Sequence, residues 1–164
     1  DSKIQIVGLG LDNIIAIAMS DAVLVTKKNR VQDVKEVVDH LKKKNIPQAE
    51  IFQKDFRPWG WFESIALGSG YQVKHICVNP GGILSLQSHK HRSEHWIVVK
   101  GVAKVTIGDE IKLIKEGQSV YVPMNVKHRM ENAETYHMDL IEVQIGTYLK
   151  EDDITRYEDI YNRK

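Results

Sequence analysis

From residue 72 onward the chain is cut into short apolar runs by turn residues, and that rhythm restricts the fold more than any other feature. Residues 72–78 alternate toward the turn signal Pro80-Gly81-Gly82. Leu84-Ser85-Leu86 follows, then a polar, histidine-rich cluster, then a short run over 96–99 that ends at Gly101. Residues 102–107 meet Gly108-Asp109, a two-residue hairpin signal, and 111–114 return. Gly117 leads into 119–122, and 140–145 form the last long run. Neighbouring strand residues face opposite sides, so each such run can wet one face and bury the other. Many short strands at this spacing predict a mainly β barrel or jelly roll. The tail, 151–162, opens with acidic residues and predicts a terminal helix.

The first third reads differently. Apolar runs at 14–18 and 22–26 flank Met19-Ser20-Asp21 and predict a β-hairpin. Asn29 and Gln32 have the spacing of a capping-box variant. Val31, Val34, Val37, Val38 and Leu41 then share one face at helical spacing, opposite Lys35, Glu36, Asp39 and Lys42. We expect a helix over about 30–44, stopped by Asn45 and Pro47, with His40 exposed on it. The polar stretch 45–54 is the expected linker, which divides the chain into 1–50 and 51–164.

Charge narrows the partners. Lys and Arg number 23 against 22 Asp and Glu, a net +1, so no electrostatic footprint for nucleic acid exists. Lys42-Lys43-Lys44 ends the expected helix, where cations suit the dipole. No apolar run approaches the roughly 20 residues that span a bilayer, so no membrane partner is expected. The single cysteine, Cys77, excludes an internal disulfide and makes a reducing cytoplasm the default. A chain starting at Asp1 without methionine reads as a fragment of something longer.

The polar cluster carries the chemistry. Gly117, five residues, Pro123, four residues, His128, three residues and Asn132 resemble the second motif of the cupin double-stranded β-helix at every position. The first cupin motif can be laid on the chain in two ways. His89-x-His91 fills its His-x-His slot but leaves Glu94 one residue too early. Gly81, five residues, Gln87-x-His89, four residues, Glu94, six residues and Gly101 keep the register, with Gln in place of the first histidine. Residues two apart share a strand face in either case, so alternation does not choose. The spacing to Glu94 favours Gln87, His89, Glu94 and His128 as ligands of one divalent metal ion, with His91 beside them in the pocket. A mixed nitrogen and oxygen set suits Zn, Mn, Co, Fe or Ni. A histidine on a strand is more often structural than a ligand, and that is the expectation for His75 and His137.

A closer likeness covers about residues 52–163. Arg57-Pro58-Trp59-Gly60-Trp61-Phe62, Gln72-Val73-Lys74, Ser85-Leu86-Gln87 and His91-Arg92-Ser93-Glu94-His95-Trp96-Ile97-Val98-Val99 resemble the isomerase part of type II phosphomannose isomerase/mannose-1-phosphate guanylyltransferase. The block 123–132, Ile141-Glu142-Val143-Gln144-Ile145-Gly146 and Glu151-Asp152-Asp153-Ile154 extend the match. Residues 12–44 resemble, more weakly, the final hairpin and helix of the transferase part. The likeness implies metal-dependent interconversion of mannose 6-phosphate and fructose 6-phosphate by a cytoplasmic homodimer. It also implies that the parent protein, not this chain, transfers the guanylyl group, because the Gly-rich nucleotide signature is absent here. Glu142 is the candidate base, sharing a strand side with Gln144, and His91 is the runner-up. Arg57, Lys74 and Arg92 are candidate substrate ligands, and Arg129, adjoining His128, joins the catalytic set. Trp59, Trp61 and Phe62 are expected to pack the barrel mouth or a dimer surface rather than stack on sugar. Two other readings stand beside this one: a metal-dependent cupin of different chemistry, such as an oxygenase or epimerase, and a non-catalytic binding or dimerisation module.

Overall fold

The N-terminal apolar runs pair as expected in the computed structural model, which describes residues 5–19, 21–49 and 53–163. Strands β1 (Ile14–Ala18) and β2 (Val23–Lys27) are antiparallel, with Ile14 opposite Lys27 and Ala18 opposite Val23. Met19 N–H closes the connection on the Ala22 carbonyl at 2.9 Å; Ser20 lies outside the described residues. Helix α1 (Val34–Lys43) starts later than expected. Lys28–Asp33 is a 3-10 stretch broken at Arg30, and neither start carries a side-chain cap. The Asn29–Gln32 capping box therefore does not form. Arg30 instead pairs with Asp33 at 2.6 Å. The helix ends where Asn45 and Pro47 said it should. Asn45 takes the left-handed conformation (φ 53), Asn45 N–H reaches the Lys42 carbonyl and Ile46 N–H the Leu41 carbonyl, a Schellman closure. His40 is exposed.

The chain divides into two compact units, one before Lys54 and one from Lys54 on. The second holds eleven strands: β3 (Lys54–Arg57), β4 (Gly60–Gly68), β5 (Tyr71–Val78), β6 (Leu86–His89), β7 (Arg92–Lys100), β8 (Val102–Ile107), β9 (Glu110–Lys115), β10 (Ser119–Val122), β11 (His128–Glu131), β12 (Met138–Gly146) and β13 (Ile154–Glu158). They form a six-stranded sheet in the order β10-β7-β12-β5-β4-β3 and a five-stranded sheet in the order β13-β6-β11-β8-β9. The fold is a cupin double-stranded β-helix. One core joins the sheets: Ile76, Val78, Trp96, Val98 and Leu140 from the first, Ala103, Val105, Ile114 and Met130 from the second.

Three local readings are corrected. The run expected over 96–99 extends back to Arg92, because alternation places Arg92 and Glu94 on the inner face with Trp96 and Val98. The expected terminal helix is a single 3-10 turn, Glu151–Asp153, followed by β13. Backbone pairing outweighs the local signal there: β13 covers β6, which would otherwise present a bare edge. Trp59 joins the core, whereas Phe62 packs against it and Trp61 meets His75 edge-on. Between Trp59 and Trp61, Gly60 adopts φ 147, and a Cβ there would run into the Cys77 carbonyl. Cys77 is a buried free thiol, pushed up to about 11 by burial and by Asp139. Among the described residues, no helix is long and apolar enough to cross a membrane.

Candidate metal centre

Three strands deliver three side chains to one point. His89 ends β6, Glu94 lies on the inner face of β7, and His128 opens β11. Their candidate ligand atoms all lie within 4.8 Å of one another, and each side chain is about 1% exposed. His89 Nε2 is 3.1 Å from Glu94 Oε1, and His128 Nε2 is 3.8 Å from Glu94 Oε2. His128 Nδ1 lies 2.9 Å from the Val126 carbonyl. A carbonyl only accepts, so Nδ1 carries the hydrogen and Nε2 of the neutral ring offers its lone pair inward. Burial pushes the His128 pKa down, against the pull of Glu94, which favours that neutral form.

These donors fit a divalent cation. Among the described residues, His89 Nδ1 and His128 Nε2 lack a hydrogen-bond partner, and His89 Nε2 has only its 3.1 Å approach to Glu94 Oε1. Buried polar atoms left bare are costly, and two imidazoles with a carboxylate are ordinary ligands for a transition metal. The carbonyl behind His128 is the kind of outer contact that fixes a ligand's tautomer. Gln87 lies on the same face, two residues before His89 and directly opposite His128 in the β6–β11 ladder. Its Oε1 accepts a hydrogen bond from Ser85 at 2.8 Å.

Glu94 and Glu142 share their donors. Trp96 Nε1 donates to Glu94 Oε2 and Glu142 Oε1, both at 3.1 Å. Gln144 Nε2 donates to Glu94 Oε1 at 3.0 Å and Glu142 Oε2 at 2.8 Å. Two carboxylates this close resist ionising together. Burial opposes charge on Glu94, but the adjacent His89, His128 and Arg92 outweigh it and hold its carboxyl well below the ordinary range. Burial and the Glu94 charge push Glu142 up to about 8. The buried pair thus holds one carboxylate and one carboxylic acid.

Glu94 and Glu142 line one cavity together with Arg57, Phe62, Lys74, Gln87, Arg92 and Glu151. Arg92 is 1% exposed and donates to Glu94 and to the Lys150 carbonyl. Lys74 Nζ donates to Glu151 at 2.9 Å, and Arg57 pairs with Asp55 at 2.6 Å. So Gln87, Glu94, Glu142, Arg57, Lys74 and Arg92 all face this one cavity, and His89 and His128 join them through Glu94.

Two expected site residues lie outside both the cluster and the cavity lining. His91 stands on the turn between β6 and β7, half exposed, with Nδ1 2.7 Å from Asp153. Leaving the strand breaks the alternation that would have turned it inward. Arg129, next to His128 on β11, necessarily faces the other side and binds Glu158 at 3.1 Å. His75 pairs with Asp139 at 3.1 Å and His137 is exposed, as expected of non-ligands. Asn132, the last residue of the second motif, clamps a loop: Nδ2 donates to the carbonyls of Val78, Asn79 and Tyr136.

Trp96 and Gln144 were missed as site residues, although both sit two positions from a named carboxylate and therefore on its face. Glu151 and Asp153 follow the last long strand, and no local pattern marks them.

Comparison with known proteins gives the chain a family. Residues 44–159 match the family described as mannose-6-phosphate isomerase C-terminal, and residues 3–41 match the MannoseP isomerase/GMP-like beta-helix domain. The chain is 51% identical over 155 residues to the xanthan biosynthesis protein XanB of Xanthomonas campestris pv. campestris, covering 94% of this chain and 33% of that protein. It is 46% identical to a mannose-1-phosphate guanylyltransferase of Escherichia coli, covering 94% and 32%. The chain thus spans about a third of the length of the curated relatives it matches. A solved protein of Klebsiella pneumoniae with a double-stranded beta-helix domain superposes with a TM-score of 0.53 at 16% identity, over 59% of this chain and 83% of that one, a likeness of fold alone. With the match reaching from the linker to beyond the last cavity-lining turn, the chain belongs to the mannose-6-phosphate isomerase C-terminal family.

Proposed function

We propose that this chain is a metal-dependent aldose–ketose isomerase that interconverts mannose 6-phosphate and fructose 6-phosphate. The observation that carries the reading is a buried acid, Glu142, held beside the His89–Glu94–His128 cluster in a cavity walled by Lys74, Arg57 and Arg92. When bound, a divalent cation on His89, Glu94 and His128, with Gln87 as a further ligand, supplies a Lewis acid for the sugar oxygens. Glu142 is the base. It removes the proton at C2 of the aldose and returns it to C1 through an enediol, with its pKa raised toward working pH by burial and by Glu94. Trp96 and Gln144 position both carboxylates by donating to each. The cationic wall receives the phosphate.

Guanylyl transfer, by the same reading, belongs to the portion of the relatives that this chain does not span. A cytoplasmic homodimer remains part of the proposal; gel filtration of the purified chain tests self-association. The experiment for the activity is a coupled assay with mannose 6-phosphate, with and without chelator. Turnover that chelation stops and metal restores is the expected result. A metal-loaded, folded chain with no turnover leaves the binding-module reading in place, and oxygen consumption would point to an oxygenase.

A further inference from the structure

Glu151 sits where three cations of the cavity converge. Its Oε1 accepts from Lys74 Nζ at 2.9 Å. Burial works against charge on Glu151, yet Lys74, Arg92 and Arg57 outweigh it and hold its carboxyl below the ordinary range. The Lys74 side chain is nearly sealed, at 6% exposure, while the Glu151 side chain is 46% exposed. A buried cation needs an anion, and here that anion is a side chain half in water. The Phe62 ring lies 4.6 Å from Lys74 Nζ and 5.3 Å from the Arg57 guanidinium carbon, so both cations border one apolar surface. Across the whole cavity wall stand five Lys or Arg side chains and three Glu. Cations therefore outnumber carboxylates on the wall.

We propose that this position is the phosphoryl subsite: the phosphate of a sugar phosphate displaces the Glu151 carboxylate from Lys74 and sits between Lys74 and Arg57. Glu151 is then a built-in stand-in that a dianion outcompetes and an uncharged sugar does not. This rests on reading the cavity as a sugar-phosphate site. The exchange requires only the Glu151 side chain to move, because the backbone on either side is pinned. The Lys150 carbonyl accepts from Arg92 at 3.0 Å, and Asp153 accepts from the backbone N–H groups of Lys90 and His91 at 3.3 Å. Phosphate brings more charge and more acceptor oxygens than the carboxylate it replaces, which suits an ammonium and a guanidinium together.

Calorimetric titration of the whole chain with inorganic phosphate, mannose 6-phosphate and mannose tests this. Glu151→Gln is expected to tighten both phosphate-bearing ligands by about tenfold, the weight of one charge-assisted hydrogen bond. Asp152→Asn removes the same net charge from an exposed neighbour and is expected to change neither. Mannose should be indifferent to both substitutions. Lys74→Gln should abolish phosphate binding; because Lys74 is buried, the Glu151→Gln and Asp152→Asn pair decides even if that variant does not fold. Equal shifts in the two acidic variants, or none in Glu151→Gln, overturn the subsite. Tightening of inorganic phosphate without mannose 6-phosphate supports the anion seat and sinks the sugar-phosphate reading instead.

Discussion

Replacing Glu142 by Gln should separate what the buried acid costs the fold from what it does for chemistry. In the chelated protein the carboxyl is raised from 4.5 to about 8 by burial and by the Glu94 charge. Between those values the native state holds a proton that the unfolded chain has released. Stability therefore falls as pH rises through that window, at about 1.36 kcal/mol per pH unit, and the loss is complete above about pH 8. The full span amounts to a penalty on the order of 5 kcal/mol at pH 9. An amide keeps the shape, cannot ionise, and can donate toward Glu94 as the protonated acid does. One acceptor for Trp96 or Gln144 is lost, which gives back about 1–3 kcal/mol. The expected result from urea melts is a variant less stable than the parent by up to about 2 kcal/mol at pH 5 and more stable by about 2–4 kcal/mol at pH 9. His128, with its pKa lowered, adds an opposite slope below its ordinary value of 6.5, and that contribution cancels in the difference between the two proteins. With metal restored, the same substitution should cut turnover by about 10²–10⁴-fold. Parallel pH–stability curves for parent and variant would refute the buried-acid argument, and retained turnover with metal bound would remove Glu142 from the base role.

Metal analysis of single variants should show His128→Ala and His89→Ala stripped of metal and His91→Ala fully loaded, since His91 binds Asp153 instead; a loaded His128→Ala protein would end the ligand assignment. The acid limb of kcat/KM should rise with pH somewhere between 4.5 and about 8 and vanish in the Glu142→Gln protein, as a pH–rate profile would show. Asn132→Ala leaves the carbonyls of Val78 and Tyr136 without their donor and should cost about 2–4 kcal/mol by urea melt while leaving metal content unchanged.

Much of the cupin unit is visible in the chain because the relevant patterns are local. A period of two sorts Glu94, Trp96 and Val98 to one side of β7 and Glu142 and Gln144 to one side of β12, whatever lies across from them. The motif spacing from Gln87 to Gly101 and from Gly117 to Asn132 reflects fixed strand and turn lengths, so His89, Glu94 and His128 could be named before any of them was seen to meet. Asn45 marks the end of α1 for an equally local reason: its side chain tolerates the left-handed turn.

Tertiary structure decided what depends on partners distant in sequence. His91 left the pocket because the β6–β7 turn hands it to Asp153, more than sixty residues on. The tail became β13 because β6 had an edge to cover. Glu142 became a raised acid and Glu94 a lowered one only because β7 and β12 run side by side and let Trp96 and Gln144 bridge the two carboxylates. Alternation is a property of one strand and can be read along it. Burial, charge and hydrogen bonding arise between strands, and no spacing within a single run encodes them.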